Sequence, residues 1–211
     1  MTNFIAIFPL QIVVYPGEEL NLHIFEPRYK QLINDYRETK KPFGIVAVLD
    51  NKISEVGTLI EVVEITKLYD NGEMDVKTRG TAIFSILEIV KEVPDKLYGG
   101  AIVNYPKNKL DTNKALMPKI IENTLKLHRL LQVQKQFNKP VDDLLSYDIA
   151  HHTGLSLQEE YELLNLFDET QRQEYLKQHL LKVLPIISEM EVLKSRVQLN
   201  GHFKNLSSFD L

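Results

Sequence analysis

The chain contains no cysteine. This absence excludes disulfide cross-links, cysteine-ligated zinc, iron–sulfur clusters and a cysteine nucleophile. Long apolar runs are also missing, since no stretch approaches the roughly 18 residues that a membrane span needs. The first residues carry no basic segment, and Pro9 interrupts the apolar run from Phe4 to Leu10, so a secretory signal is not expected. Together these absences predict a soluble, cytoplasmic protein.

What the chain does contain is typical of a folded globular protein. Its 211 residues are 44% apolar and 26% charged, with a formal net charge of −4. That is enough chain for one large domain or two small ones. Seven of the nine glycines and six of the nine prolines lie in residues 1–106, whereas residues 107–211 are rich in leucine. This contrast predicts an α+β protein with a β domain over 1–106 and a helical domain over 107–211.

The first half holds seven short runs rich in Val, Ile and Thr, which predict strands. Between two of them, Asp70-Asn71-Gly72 predicts a type I′ hairpin turn, because Asn and Gly tolerate the positive φ angles of that turn. Pro27 fits the first position of a single inserted helix. So many short strands predict a small β-barrel or two packed sheets. The predicted strands are Ile5–Pro9, Leu20–Ile24, Gly44–Leu49, Thr58–Tyr69, Met74–Arg79, Ala82–Val90 and Gly99–Tyr105.

The second half predicts a bundle of about four helices. Ser156 and Glu159 have the spacing of a capping box, and Gly154 suits the end of the helix before it. Pro185 is expected to bend the long last helix. The predicted helices run from Asn113 to about Gln134, from Val141 to Thr153, from Ser156 to about Phe167, and over Glu169–Asn200, with Asp168 as the cap of the last and Gly201 as its end.

Apolar residues recur every three or four positions along the last helix. One interpretation is a core stripe packed against the shorter helices. The other is a coiled-coil seam for a partner. Leu181, Leu184 and Ile186 widen the apolar face beyond a two-position seam, which favours the core interpretation. The recurring residues are Leu176, Leu180, Val183, Ile187, Met190, Leu193 and Val197.

The common catalytic motifs are missing from the sequence. Neither Lys77-Thr78 nor Lys194-Ser195 follows a glycine, as a phosphate-binding P-loop would require. His151 and His152 are adjacent, but neighbouring helical residues point about 100° apart and make a poor pair of metal ligands. No catalytic, cofactor-binding or metal-binding residue is therefore predicted. Basic residues are scattered through an acidic β half, which disfavours a nucleic-acid partner.

The opening of the chain resembles a known family. The resemblance rests on two runs, with matches in order at Phe43–Val46, Val56–Thr58 and the Asp70–Gly80 hairpin. These runs are typical of the N-terminal, substrate-binding domain of the ATP-dependent Lon protease family, and above all of its short stand-alone members. The two runs are Phe8-Pro-Leu-Gln-Ile-Val-Val-Tyr-Pro-Gly17 and Leu20-Asn-Leu-His-Ile-Phe-Glu-Pro-Arg-Tyr29.

The resemblance implies a PUA-like β-barrel with one inserted helix, followed by an α-helical bundle. It also implies a non-catalytic module that recognises polypeptides, as an adaptor or client-recognition protein without the ATPase and protease parts. Tyr15, Phe25 and Tyr29 are the candidate contacts, because aromatic residues at turns and helix starts can stay partly exposed. RNA binding through the barrel is the alternative. An unrecognised hydrolase and the oligomeric state are left open by the sequence.

Overall fold

A computed structural model describes residues 2–137 and 139–205, with side chains described as far as Val197. The chain is an α+β protein, as the sequence predicts. Six strands precede the helical half, and one helix, α1, lies among them. The strands are β1 (Asn3–Leu10), β2 (Glu19–Ile24), β3 (Phe43–Leu49), β4 (Lys52–Leu68), β5 (Met74–Val90) and β6 (Gly100–Asn104). The helices are α1 (Pro27–Thr39), α2 (Met117–Leu131), α3 (Ser146–Ile149), α4 (Leu157–Leu164) and α5 (Glu169–Asn205).

The strands form one mixed sheet in the order β2-β5-β4-β3-β1-β6. Only β1 and β3 run parallel, and β6 pairs with β5 as well as with β1. The sheet therefore curls back on itself. As a whole it is not the closed β-barrel that the resemblance implies, because β2 lies outside the ring of paired strands β5, β4, β3, β1 and β6, and its other edge is free of strands among the described residues. Two of the seven predicted strands are halves of the continuous β5.

The hairpin turn between β4 and β5 is of a different type from the one predicted. At Asp70-Asn71-Gly72 only the glycine has a positive φ, +78°, and its amide donates to the carbonyl of Tyr69 at 2.9 Å. This is a type I turn followed by a glycine bulge, so the predicted type I′ turn is wrong here. A type I′ geometry occurs instead at Asp50-Asn51, with φ of 48° and 60°, between β3 and β4.

Helix α1 covers one face of the sheet. Pro27 begins the helix, as predicted, and Leu32, Ile33 and Tyr36 are buried against the strands. At its first turn the Tyr29 ring stacks on the Phe8 ring, with centroids 3.7 Å apart. The apolar side of a short helix thus supplies most of the cover for this part of the sheet.

The helical half confirms the predicted caps at Ser156 and Asp168 and corrects two helix lengths. The capping box at Ser156 and Glu159 is present, and the Asp168 carboxylate accepts from the amide of Thr170 at 3.0 Å. The helix predicted over Val141–Thr153 is broken into two 3-10 turns, Val141–Asp143 and Ala150–His152, around α3. The last helix continues through Gly201 to Asn205, so that glycine does not end it.

A buried carboxylate explains why the predicted helix is interrupted. Glu169 lies at the start of α5, fully buried, and its Oε1 accepts from both the amide and the hydroxyl of Ser146, each at 2.8 Å. The amide of Leu145 donates to the Asp148 carboxylate. Amides held by side chains cannot continue a helical ladder from upstream, so α3 begins afresh at Ser146.

The largest apolar cluster spans both halves of the chain. Val13, Tyr15 and Ile83 from the first half pack in the same cluster as residues of α2 and α5. The division at residues 106 and 107 stays a prediction. In the structure, the two predicted domains share this part of their core.

Candidate functional site

An apolar groove opens between α1, β1 and the segment that precedes β6. We call it the α1 groove. It encloses about 300 Å³, which is the lower end of the range of sites that hold a ligand group. The side chains that define it are Phe4, Leu32, Asp35, Tyr36, Val93 and Tyr98.

One wall of the groove is the ring of Phe4, which is 51% exposed. The ring lies over Gly100 of the neighbouring strand, where a Cβ atom would stand only 2.3 Å from Phe4 Cζ. Glycine is therefore required at this position for the ring to reach its place. The groove keeps a large aromatic surface in contact with solvent, which an ordinary core position would bury.

An ion pair and a hydrogen bond, both centred on Asp35, line the opposite side of the groove. The Asp35 carboxylate receives Lys96 Nζ at 2.7 Å and also accepts from the hydroxyl of Tyr98. Burial alone would raise the pKa of Asp35, but these two donors outweigh it and hold the pKa below its ordinary value. The carboxylate is thus anionic at neutral pH, and an apolar floor meets a polar rim.

A second opening, of about 680 Å³, lies where the two halves meet. Glu18, Tyr147 and His151 line it in part, and together with Tyr15 and Glu160 they form a set of contacts that we call the joint. The Tyr15 and Tyr147 rings stack with centroids 4.9 Å apart, and Tyr15 donates to the carbonyl of Glu160 at 3.1 Å. His151 bridges the Glu160 carboxylate at 2.6 Å and the Glu18 carboxylate at 3.2 Å.

The pKa values of the adjacent residues His151 and His152 are shifted in opposite directions. Burial lowers the pKa of His151, but the hydrogen bonds to Glu160 and Glu18 more than compensate and raise it to about 9. The pKa of His152 falls to about 4, because burial dominates and Lys135 adds positive charge nearby. At neutral pH His151 is a cation between two carboxylates, which makes it a cross-link between the halves.

Beneath the joint lies a buried ion pair. Arg172 and Glu169 are both fully buried, with Nε and Oε2 2.9 Å apart. Arg172 also donates to the Tyr147 hydroxyl, to Asn108 Oδ1 and to two backbone carbonyls. Every arm of the guanidinium therefore has a partner, which is the condition under which a buried charge is tolerated. This cluster ties α5 to the segment that connects the two halves.

The three aromatic residues predicted as contacts lie in different environments. Tyr15 and Tyr29 are buried, Tyr15 in the joint and Tyr29 against Phe8. The expected exposure of these two is wrong, because each ring packs on another aromatic ring that is distant in sequence. Phe25 is 58% exposed, beside His23 at the end of β2. The structure does not bring the three together.

No sequence motif marks the residues of the α1 groove. Phe4, Asp35 and Tyr98 are far apart in the chain, and none stands in a motif. One signal was available in the pair Gly99-Gly100 at the start of a predicted strand, since glycine in a strand often marks a close approach.

The outer face of β2, β5 and β4 is highly charged, but its charges are mixed. Lys77 and Arg79 both pair with Glu19, and His23 pairs with Asp75 and Glu73. Over the described residues, no group of three or more potential ligands is placed to hold a metal ion. Of the helices that the structure describes, none is both long and apolar enough to span a membrane.

The fold defines a class of protein: an α+β module whose curled mixed sheet is joined to a helical bundle with a long final helix. A family model described as the ATP-dependent protease La (LON) substrate-binding domain matches residues 5–182. The chain belongs to this family of substrate-binding domains. No curated protein sequence matches the chain.

Solved structures with a similar fold include two Lon N-terminal domains. One is a Lon N-terminal domain protein from Xanthomonas campestris, with a TM-score of 0.62 and 24% identity, covering 83% of this chain and 98% of that one. The other is the N-terminal domain of the Mycobacterium avium complex Lon protease, with a TM-score of 0.63 and 14% identity, covering 84% of this chain and 98% of that one. At these identities the likeness establishes the fold alone.

Proposed function

We propose that the chain binds unfolded or extended polypeptide segments and acts as a cytoplasmic adaptor or client-recognition protein, without chemistry of its own. The observation that carries the proposal is the α1 groove, with the half-exposed ring of Phe4 held open above Gly100. Membership of a substrate-binding family gives the general activity. The groove is the surface on which we propose that the polypeptide binds.

The groove suits an apolar side chain of a bound segment. Its floor of Leu32, Tyr36 and Tyr98 would desolvate the side chain, and its volume of about 300 Å³ holds one large residue. Burying apolar surface contributes about 25 cal/mol for each Å² removed from water. The Asp35–Lys96 pair at the rim offers polar partners for the backbone on either side.

Phe25 is a second candidate contact. It stands at the end of β2, the strand with a free edge among the described residues. A free edge can pair with an extended chain, and an aromatic residue beside it can hold a side chain. We assign Tyr15 and Tyr29 structural roles in this proposal, since a partner could reach them only by opening the core.

Two matched variants test the groove against the end of β2. Phe4→Ser and Phe25→Ser remove the same ring from positions of similar exposure, 51% and 58%. Binding of fluorescently labelled reduced casein would be measured by anisotropy, with circular dichroism as the check on folding. Loss of an aromatic anchor weakens binding about tenfold or more. We expect that loss for Phe4→Ser and a smaller change for Phe25→Ser.

Other results of this experiment would move the site, reject polypeptide binding or favour RNA binding. A loss in Phe25→Ser alone moves the site to the end of β2. If the wild-type chain fails to bind up to about 100 μM, the proposal fails. Binding of single-stranded RNA whose affinity falls steeply with salt would favour the RNA alternative, to which the paired charges of the outer sheet face lend no support.

A further inference from the structure

Strand β2 has one edge with no strand beside it among the described residues. Just before β2, the amide of Gly80 donates to the carbonyl of Glu18 at 2.9 Å. Because backbone groups alternate in direction along an antiparallel strand, the even-numbered residues from Leu20 onwards point their amides and carbonyls towards β5. The odd-numbered residues point theirs outwards, and over the described residues these groups have no backbone partner: Glu19, Asn21 and His23.

This edge lacks the usual devices that keep other strands away. Proteins block exposed edges with proline, lysine or a bulge, but Glu19–Ile24 contains no proline and no lysine, and its pairing with β5 is regular. On the inner side, Leu20 and Leu22 are only half-buried, at the border of the cluster under α1. A strand added at this edge would satisfy the outward backbone groups and cover both leucines.

The sequence of β2 is complementary to itself when two copies run antiparallel about Asn21. In that register the two Asn21 residues face each other on a two-fold axis, and Leu20 of each copy lies beside Leu22 of the other. The outward backbone groups of Glu19, Asn21 and His23 then meet their counterparts, so the two strands exchange about six hydrogen bonds. The leucines form the non-hydrogen-bonded pairs, in which side chains come closest.

In this register the charges on the outer face alternate in sign across the interface. Within one copy, Asp75 lies across from His23 and contacts it at 2.7 Å, and Arg79 lies across from Glu19 and contacts it at 2.7 Å. Pairing about Asn21 places His23 beside Glu19 of the partner subunit. The hydrogen bond to Asp75 raises the pKa of His23 above its ordinary value, which favours the cation. Four adjacent strands thus carry acid, base, acid and base in one row, and opposite charges on neighbouring strands stabilise their pairing.

The same register gives the exposed ring of Phe25 a place to bind. Phe25 directly follows β2 and is 58% exposed, and the register carries it opposite Gly17 of the partner subunit. Gly17 lines the opening of about 680 Å³ where the two halves meet. A Cβ atom on Gly17 would meet nothing within 4 Å, so there is room for a ring beside it. An aromatic side chain of one copy thus faces a cavity of the other.

We propose that β2 pairs with β2 of a second copy of this chain, antiparallel about Asn21, so that the two sheets become one continuous sheet. Such an interface uses the same surface on both copies and therefore closes as a dimer. The α1 groove lies at the other end of the sheet, beside β1. The proposal therefore does not depend on polypeptide binding, and it assigns the free edge to a second copy rather than to a client.

The mass of the chain in solution tests the association. Sedimentation equilibrium at about 100 μM is expected to give twice the chain mass of 24.4 kDa. Asn21→Pro removes an amide that points outwards at the two-fold axis, and it should weaken the dimer about tenfold or more. Asn21→Ala is the matched control at the same position, because it keeps that amide, and it should leave the dimer intact. Circular dichroism checks that both variants fold.

The absence of cysteine allows a separate test of the register. Asn21→Cys brings two thiols together at the axis, where Cα atoms about 5.5 Å apart suit a disulfide, so mild oxidation should link the dimer. Lys77 lies directly across from Asn21 on β5, one strand further from the axis. The two copies of Lys77→Cys would be about 14 Å apart and should not cross-link.

Three results would each overturn the proposal: a monomeric wild-type chain at about 100 μM, equal effects of Asn21→Pro and Asn21→Ala, or equal cross-linking of the two cysteine variants. A fourth would assign the edge to an extended client instead. In that case the Asn21→Cys variant, labelled with benzophenone, would cross-link to reduced casein and not to a second copy.

Discussion

The joint and the part of α5 from residue 185 to residue 197, which we call distal α5, differ in whether their large side chains are covered by the chain itself. In the joint, Tyr15 and Tyr147 are buried and stacked, and the charge of His151 lies between two carboxylates. Along distal α5, residues such as Met190 and Leu193 are mostly exposed. One region has every major group partnered within the chain. The other presents apolar surface that this chain does not cover.

This difference separates what holds the fold together from what is available to partners. The stability of the fold depends on the joint and on the buried Arg172–Glu169 ion pair beneath it. Removing one partner of such a contact leaves a buried polar group without a hydrogen bond, which lowers the free energy of unfolding. Removing an exposed apolar side chain, such as Leu193 in distal α5 or Phe4 in the α1 groove, leaves no hydrogen-bonding group unsatisfied in the monomer. Variants can therefore test each surface without unfolding the chain.

The largest effect is expected from Arg172→Leu. The change leaves the buried carboxylate of Glu169 without its cation, and breaking such a pair costs about 3–5 kcal/mol. Urea denaturation followed by circular dichroism measures the free energy of unfolding. The double variant Arg172→Leu with Glu169→Gln should recover part of the loss, because it removes the uncompensated charge. A loss under about 1 kcal/mol in Arg172→Leu would contradict the role given to the pair.

The next effect contrasts two leucines on the same helix. Leu180→Ala empties a fully buried position in the first half of α5 and should cost about 2–5 kcal/mol. Leu193→Ala truncates a side chain that is 61% exposed and should change stability by about 0.5 kcal/mol or less. Both are measured at about 1 μM chain, so that association contributes little. Similar losses for both would remove the distinction between the two regions.

The smallest effect concerns pH. The pKa of His151 lies at about 9 in the folded chain, above its ordinary value of 6.5. Its stabilising effect is therefore fully present below pH 6.5 and is lost as the pH rises through 9. Because the side chain is 35% exposed, the change should be about 1 kcal/mol or less. His151→Gln should flatten the decline in unfolding free energy between pH 6.5 and 9.5, and an unchanged decline would exclude the cross-link.

Features set by neighbouring residues could be predicted from the sequence. The capping box at Ser156 and Glu159, the cap at Asp168 and the helix start at Pro27 all depend on groups within a few positions. The contrast between the two halves also predicted the α+β architecture, since glycine content and apolar periodicity are properties of whole segments. Each of these features is present in the structure.

Features set by distant contacts could not be predicted in this way. The break before α3 depends on Glu169, which takes the amide of Ser146 from 23 positions away. The burial of Tyr15 depends on Tyr147 and Glu160, more than 130 positions away. The α1 groove joins residues of β1, α1 and the segment before β6. The sequence contained these residues, but not their proximity.

Site-specific photo-cross-linking tests the central claim, polypeptide binding in the α1 groove, most directly. Thr39 lies on the rim of the groove, whereas Thr81 lies on β5, outside it. Both are exposed, and both hydroxyls donate to a backbone carbonyl. Thr39→Cys and Thr81→Cys, each labelled with benzophenone in this cysteine-free chain, would be irradiated with reduced casein. We expect cross-links to casein from position 39 and few from position 81. Equal yields, or none from position 39, would contradict the account.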